Sequence, residues 1–326
     1  MTRKLLPLTL NALLFGLCLP VGAQQPKRVP RIGYVTLSSG PSDRDESFTQ
    51  GLRELGWVDN KNIMVAYRWV AGKMDRLAHV AEELVRLKVD VIIATSPPVI
   101  QAAKKATSKI PIITPAASDP VGSGFIASLA RPGGNITGLS AMLLAFDGKR
   151  VELLKEMAPR VRRVAFLTYR KDVTARRRVQ EVGAVARRLG LRIQPLGISD
   201  SKDLDRAFSA MRRERARAVA VQPLLINQIG QGRRIAEFAA KHHLPGISDS
   251  KDFLDGGGLA SYGADRPALW RRAAWYVDRL LKGANPADLP VEQAKKFEFA
   301  VNLKAAQQIG LNVPQNVLAI ADRVVR

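Results

Sequence analysis

The sequence is poor in the groups that catalytic and metal sites most often use. Its 326 residues include three histidines, and its acidic residues are scattered, with no facing pair on one short segment. It has no P-loop pattern and no Gly-x-Gly-x-x-Gly run after a predicted strand. His79, His242 and His243 fall on predicted helix surfaces or ends, which disfavours metal ligation and general-base catalysis. We therefore expect no catalytic residue, no metal site and no cofactor, in a chain that is not an enzyme.

The first 23 residues have the layout of a secretory signal peptide. Arg3 and Lys4 provide a positive start, Leu5 to Val21 is mostly apolar, and Val21-Gly22-Ala23 offers small residues before a cleavage site. A proline and an asparagine break the apolar run, and it falls short of the roughly 20 uninterrupted apolar residues that a membrane helix needs. We expect cleavage after Ala23 and a periplasmic protein.

Cysteine is almost absent, and its one position matters. Cys18 lies inside the apolar run, so the mature chain would hold no cysteine and no disulfide, thiol nucleophile or cysteine metal site. A lipidated Cys18 is disfavoured because the residue before it, Leu17, is bulky. Export also separates the chain from NAD, ATP and DNA, and we expect no nucleic-acid partner.

Negative charge is scarce. The formal net charge is +22, and the segment from Arg150 to Arg217 holds 19 Lys or Arg against 8 Asp or Glu. Such a field attracts nucleic acid or anionic membranes, but no aromatic residues interleave with the arginine runs to stack bases. The simplest interpretation is a solvated, arginine-rich helix surface. Weak attraction to an anionic membrane or envelope polymer remains an alternative.

Apolar periodicity predicts strands that alternate with helices. The predicted strands cover residues 32–37, 63–69, 89–94 and 110–114 in a first run, and 164–168, 191–196 and 218–221 in a second. The intervening helices end at glycine or before proline, and Ser96 with Pro97 starts one of them. Such alternation is typical of βαβ units, so the predicted fold class is α/β with two doubly wound parallel-sheet lobes.

One heptapeptide occurs twice. Gly197 to Asp203 and Gly246 to Asp252 both read Gly-Ile-Ser-Asp-Ser-Lys-Asp, each where a strand ends and a helix begins. The simplest interpretation is an Asp/Ser helix cap used twice. Each copy also has the Ser-x-x-Lys spacing of a serine acyl-enzyme. A secreted hydrolase using Ser248 and Lys251 is therefore an alternative, although no other part of that machinery is visible.

Polar side chains follow the predicted strands at their carboxyl ends, where open α/β sheets bind ligands. They are Ser38, Ser39, Thr95, Ser96, Ser118 and Asp119 in the first run, and Thr168, Tyr169, Gln222, Ser248 and Asp249 in the second. Hydroxyls, amides and isolated carboxylates suit the binding of a small molecule rather than its conversion.

Several short motifs are spread over nearly the whole chain. The most specific are Ser118-Asp119-Pro120-Val121 and the run Arg131-Pro132-Gly133-Gly134-Asn135-Ile136-Thr137-Gly138. Others are Tyr67-Arg68-Trp69, Ser261-Tyr262-Gly263, Leu281-Lys282-Gly283 and Asn302-Leu303-Lys304-Ala305-Ala306. Together they resemble the ABC-transporter substrate-binding family whose better-known members bind tryptophan or tyrosine.

The resemblance implies the type I periplasmic-binding fold, in which two lobes joined by a three-strand hinge close over a ligand. It implies a signal peptide of residues 1–23, an N-terminal lobe of 31–138 plus 259–287, and a C-terminal lobe of 139–258 plus 288–326. The hinge crossings are expected near residues 136–140, 259–263 and 288–292. Tyr169-Arg170-Lys171-Asp172 departs from the Asn-Pro-rich loop usual in relatives, which leaves the ligand open.

The implied function is that of the monomeric, solute-binding component of an ABC importer, which delivers a small molecule to an inner-membrane permease. The expected solute is an amino acid, and the resemblance favours an aromatic one. Serines would bind its carboxylate, Asp119 or Asp249 its ammonium group, and Tyr169 or Tyr262 a flat side chain. The candidate binding residues are Ser38, Ser39, Ser96, Ser118, Asp119, Tyr169, Gln222, Asp249 and Tyr262. An exported receptor for a sensor kinase or chemoreceptor is the main alternative.

Overall fold

The computed structural model describes residues 28–141 and 143–326, and the predicted signal peptide lies outside them. The strands are β1 (Arg31–Thr36), β2 (Met64–Trp69), β3 (Val91–Ala94), β4 (Ile112–Ala117), β5 (Ile136–Ser140), β6 (Arg163–Tyr169), β7 (Arg192–Ile198), β8 (Ala218–Val221), β9 (Gly246–Ser248), β10 (Ala260–Ala264), β11 (Glu292–Gln293), β12 (Phe297–Asn302) and β13 (Arg323–Val325). The helices are α1 (Asp43–Glu54), α2 (Leu77–Arg86), α3 (Pro97–Ala106), α4 (Leu143–Met157), α5 (Ala175–Arg188), α6 (Ser201–Arg213), α7 (Pro223–Ile229), α8 (Gly232–Lys241), α9 (Lys251–Asp255), α10 (Arg266–Leu281), α11 (Leu303–Gln308) and α12 (Gln315–Ala319).

The strands form two sheets, one in each lobe. The first has the order β11-β5-β4-β3-β1-β2 with every pairing parallel. The second has the order β13-β12-β10-β9-β8-β6-β7, and only the β10–β12 pairing among its described strands is antiparallel. The order β2-β1-β3-β4-β5 recurs as β7-β6-β8-β9-β10, which confirms the prediction of two doubly wound lobes.

Each lobe buries the apolar residues that the sequence pattern marked. All four residues of β3 are buried, as expected of a central parallel strand covered on both faces. In α2, Leu77, Val80, Ala81 and Leu84 recur at helical spacing and are all buried. In the first lobe, α10 packs along α1, and it begins at Asp265, whose carboxylate accepts a hydrogen bond from the Ala268 amide at 3.0 Å.

The chain passes between the lobes three times, after β5, after β10 and after β11. The strand pairing places two short segments differently from the predicted division of the chain. Ala260–Ala264, expected in the N-terminal lobe, pairs with β9 and β12 of the second sheet. Glu292–Gln293, expected in the C-terminal lobe, pairs with β5 of the first. The remaining boundaries stay a prediction.

A buried ion network joins α4 and α5 of the second lobe. The guanidinium of Arg178 is fully buried and pairs with Asp147 and, at 3.2 Å, with Asp172. Burial alone lowers the pKa of Arg178, but these two carboxylates outweigh it and raise that pKa above its ordinary value. Arg150 also pairs with Asp147, and it donates to the carbonyl of Tyr262 in β10 at 2.9 Å.

The same network reaches the crossing between β10 and α10. Asp249 follows β9, and its oxygens accept from the guanidinium of Arg266 at 2.9 and 3.0 Å. One of those oxygens also lies 3.8 Å from Arg150. Because Arg266 is the first residue of α10, this contact ties the second lobe to the helix that completes the first. None of the helices in the described part of the chain combines the length and apolar character needed to cross a membrane.

We predict that Gly138→Ala destabilises the first lobe. Gly138 has φ +126°, and a Cβ there would lie 2.3 Å from the carbonyl oxygen of Thr114 in β4. The expected loss is about 2–4 kcal/mol in the free energy of unfolding, measured by urea denaturation. Gly134→Ala in the same motif is the control, since a Cβ there meets no atom within 4 Å. Equal stability of the two variants would contradict the prediction.

We predict that Arg178→Met is far more damaging than Arg177→Met at the neighbouring position. Loss of the Arg178 guanidinium leaves buried Asp172 and Asp147 short of a counter-charge, which costs about 3–5 kcal/mol. Arg177 is half-exposed, so its ion pair contributes only about 0–1 kcal/mol. Urea denaturation of both variants measures the difference, and a small effect at Arg178 contradicts it.

Candidate ligand-binding site

A cavity of about 730 Å³ lies between the two lobes, at the carboxyl ends of the first-lobe strands. The first lobe contributes residues that follow β1, β3 and β4 and the first turn of α1. The second lobe contributes Leu224 and Ile226 of α7 and the segment Ser250 to Asp252. A volume of this size is within the range of small-molecule sites.

Hydroxyl groups line the first-lobe side of the cavity, because strand ends converge there. Ser38, Ser39, Ser96 and Ser118, four of the predicted residues, all line it. The Ser38 hydroxyl donates to the Gly40 carbonyl at 3.1 Å. The buried Oγ of Ser96 has no hydrogen-bond partner in the described part of the chain, although Ser96 precedes the first turn of α3.

Tyr34 and Trp270 form an aromatic wall on the first-lobe side of the cavity. Trp270 of α10 is buried, and its indole N–H donates to the hydroxyl of Tyr34 in β1 at 2.7 Å. Tyr34 in turn packs on Phe48 and Tyr67, with ring centroids 5.4 and 5.0 Å apart. Burial, together with the neighbouring carboxylate of Asp45, raises the pKa of Tyr34 well above its ordinary value, so its hydroxyl stays protonated.

Two guanidinium groups face the cavity beside this wall. Arg44 lies in the first turn of α1, with its Cζ 5.6 Å from the Trp270 ring centroid. Arg266 lines the cavity too, but Asp249 neutralises it. Burial and then the nearby Arg266 lower the pKa of Arg44 from its ordinary value. Asp45, a buried carboxylate in the same turn, accepts from the amide of Ser42 at 2.8 Å.

Five predicted residues do not line the cavity, and each has another partner. Asp119 follows β4 and forms an ion pair with Arg177 of α5, across the two lobes. The Asp249 carboxylate pairs with Arg266 and Arg150 in the network described above. Neither carboxylate is therefore free to receive a ligand ammonium group in this arrangement.

The other three lie inside the second lobe. Tyr169 is 3% exposed and packs in the core around β6 and β8. Gln222 is fully buried; its carbonyl oxygen accepts from the Tyr169 amide at 2.7 Å, and its amide group donates to Asp172. Tyr262 lies in β10, the strand that precedes a crossing, and packs edge-on against Phe146 and Phe299.

The hydrolase alternative meets a physical obstacle in β9. Ser248 is fully buried, and its hydroxyl donates to the Val221 carbonyl at 3.0 Å. Lys251 is exposed and lines the cavity at the start of α9. A serine held inside the sheet has no access to a substrate, so the Ser-x-x-Lys spacing in this copy of the heptapeptide carries no nucleophile.

Sequence reasoning missed the charged and aromatic residues of the cavity: Tyr34, Arg44, Asp45, Arg266 and Trp270. Tyr34 and Trp270 also belong to the core of the first lobe, so their apolar character alone does not mark them as cavity residues. Only Arg44 among them could have been suspected from the sequence. A cation in the first turn of a helix is unfavourable by about 0.3–1 kcal/mol because of the helix macrodipole, so its presence there suggests another role. The other first-turn charges of α1, Asp43, Asp45 and Glu46, are acidic as that rule expects.

Known proteins share this architecture. The model of the family described as ABC transporter substrate binding protein matches residues 37–325. A tyrosine-binding protein of Clostridioides difficile (strain R20291) is 28% identical over 279 residues, which are 85% of this chain and 79% of that protein. The chain is thus similar to a curated binding protein over most of its length.

Two solved structures are similar over 91% of this chain and 99% of their own. The ABC domain from Streptococcus pneumonia in complex with L-Trp is 26% identical, with a TM-score of 0.82. The ligand-free, open structure of a substrate binding protein with adhesive properties from Clostridium difficile is 25% identical, with a TM-score of 0.68. This similarity, together with the two doubly wound lobes described above, confirms the type I periplasmic-binding fold that the motifs implied. With the family model matched along nearly the whole sequence, the chain belongs to the ABC transporter substrate binding protein family.

Proposed function

We propose that this protein captures a small solute in the cavity between its lobes and delivers it to an ABC permease in the inner membrane. The observation that carries the proposal is the cavity itself, because both lobes line it and hydroxyl groups, carboxylates and guanidinium groups are among its described lining residues. A solute bound there contacts both lobes at once. Members of this family are ligand-binding components of transporters rather than enzymes.

An amino acid with an aromatic side chain is the ligand class that we favour. Relatives described as tyrosine-binding and as a complex with L-Trp support it. Tyr34 and Trp270 line the cavity and give its first-lobe side an aromatic character that suits a ring, although both are almost completely buried. The unpartnered hydroxyl of Ser96, beside the N-terminus of α3, suits a carboxylate oxygen. Asp119 and Asp249 are paired with arginines, so the candidates for an ammonium group are the carboxylates that line the cavity, Asp43, Asp45 and Asp252.

Capture would work by shifting an equilibrium between open and closed lobes toward the closed form. The ion pair between Asp119 and Arg177 spans the lobes and exists only when they are close. The higher TM-score against the L-Trp complex than against the ligand-free, open relative supports an arrangement near the closed form. The three chain crossings are where the backbone would bend.

Thermal unfolding of the mature protein against common amino acids, small carboxylates and sugars tests the capture of a solute. A ligand at 100 times its dissociation constant adds about 2.7 kcal/mol to the free energy of unfolding. We expect an upward shift of several degrees in melting temperature with aromatic amino acids and none with sugars. Mass spectrometry of the denatured, untreated protein checks for a ligand retained from the cell. An empty cavity and no shift with any solute would refute the proposed function.

Export and a monomeric state complete the proposal. We expect that the full chain, produced in a Gram-negative host, appears in the periplasmic fraction with Gln24 as its first residue. N-terminal sequencing of that fraction measures the cleavage site, and size-exclusion chromatography with light scattering measures the mass. Retention of residues 1–23, or a cytoplasmic product, would contradict this expectation.

A further inference from the structure

Arg44 is a cation that the fold itself does not use. It occupies the first turn of α1, where the helix macrodipole disfavours positive charge. In the described part of the chain, its guanidinium forms no hydrogen bond and no ion pair within 4 Å; its one specific contact is with the ring of Trp270. A partly buried guanidinium with five donors and no acceptor is costly unless something else binds it.

In the described part of the chain, no neighbouring carboxylate pairs directly with the Arg44 guanidinium. The three buried arginines nearby, Arg150, Arg178 and Arg266, are matched by three aspartates, Asp147, Asp172 and Asp249. Asp45 accepts from both the amide and the hydroxyl of Ser42, at 2.8 and 3.1 Å. Asp43, Lys251 and Asp252 also line the cavity but are exposed, so water solvates their charges.

The aromatic wall fixes where the free cation points. Trp270 is held by its hydrogen bond to Tyr34, and Arg44 lies 5.6 Å from the Trp270 ring centroid. The guanidinium therefore lies over part of the Trp270 ring, and a flat ligand ring on the aromatic side of the cavity would lie next to it. A carboxylate a few bonds from that ring would reach Arg44, and a bidentate pair is the strongest contact available to it.

We propose that Arg44 binds the carboxylate of the ligand and restricts the cavity to aromatic solutes that carry one. This inference rests on the proposed function and adds the residue that selects the ligand. An amino acid carries both a carboxylate and an ammonium group. On this inference binding requires the carboxylate of the ligand and does not require its ammonium group.

Three probes that share the indole ring system but differ in their charged groups test the proposal by isothermal titration calorimetry. L-tryptophan carries a carboxylate and an ammonium group, indole-3-propionate the carboxylate alone, and tryptamine the ammonium alone. We expect L-tryptophan and indole-3-propionate to bind the mature protein, and tryptamine to bind at least tenfold more weakly than either. Tryptamine binding as tightly as L-tryptophan would overturn the proposal.

Variants of Arg44 assign the effect to this side chain. Arg44→Gln should weaken indole-3-propionate about 10- to 100-fold, and Arg44→Lys, which keeps the charge but not the planar fork, should weaken it less. Arg53→Gln, an exposed position at the other end of α1, is the control and should bind as wild type does. The melting temperature of ligand-free Arg44→Gln should equal or exceed that of wild type, because the cation opposes the helix macrodipole.

Each failure has a distinct meaning. Arg44→Gln binding indole-3-propionate within threefold of wild type, or a lowered melting temperature of its ligand-free form, assigns Arg44 a structural role and overturns the proposal. Binding of none of the three probes also overturns it. If a solute without a carboxylate then shifts the melting temperature, solute capture stands without this inference. If no solute shifts the melting temperature, both this inference and the proposed function are refuted.

Discussion

The arrangement of the cleft depends on one buried charge balance. Three arginines and three aspartates from α4, the segment between β6 and α5, α5, the end of β9 and the start of α10 neutralise one another away from water. Removing any member leaves an unpaired buried charge, so the set holds together as a unit. Because Asp249 belongs to the second lobe and Arg266 begins a helix of the first, the same balance fixes how the two lobes meet beside the cavity.

Much of the fold could be predicted from the sequence because apolar spacing follows burial. In α2 the buried apolar residues recur at helical spacing, and β3 is the continuous apolar run that a strand buried on both faces requires. Helix α4 escaped prediction because Asp147 and Arg150 point inward, where an amphipathic pattern expects apolar residues. The short crossing strands escaped correct placement because β10 and β11 are defined by pairing partners distant in sequence rather than by local pattern.

The candidate site, like the fold, could be predicted from the sequence only in part. Ser38, Ser39, Ser96 and Ser118 were predictable because any residue just beyond a parallel strand lies at the ligand edge of the sheet. The two copies of Gly-Ile-Ser-Asp-Ser-Lys-Asp show the limit of that reasoning. Asp200 follows edge strand β7 and caps α6 by accepting from the amides of Lys202 and Asp203, whereas Asp249 follows central strand β9 and meets Arg266. Identical local sequence acquires different chemistry from its position in the sheet.

Three chain crossings between the lobes have a mechanical consequence. A single linker would let one lobe tumble relative to the other about any axis, and a ligand would have to arrest all of that rotation. Three connections side by side leave essentially one bending coordinate, so most of the orientational entropy of bringing the two cavity faces together is already lost during folding. The ligand has only to bias motion along that coordinate, which lets a solute with few contacts close a large protein.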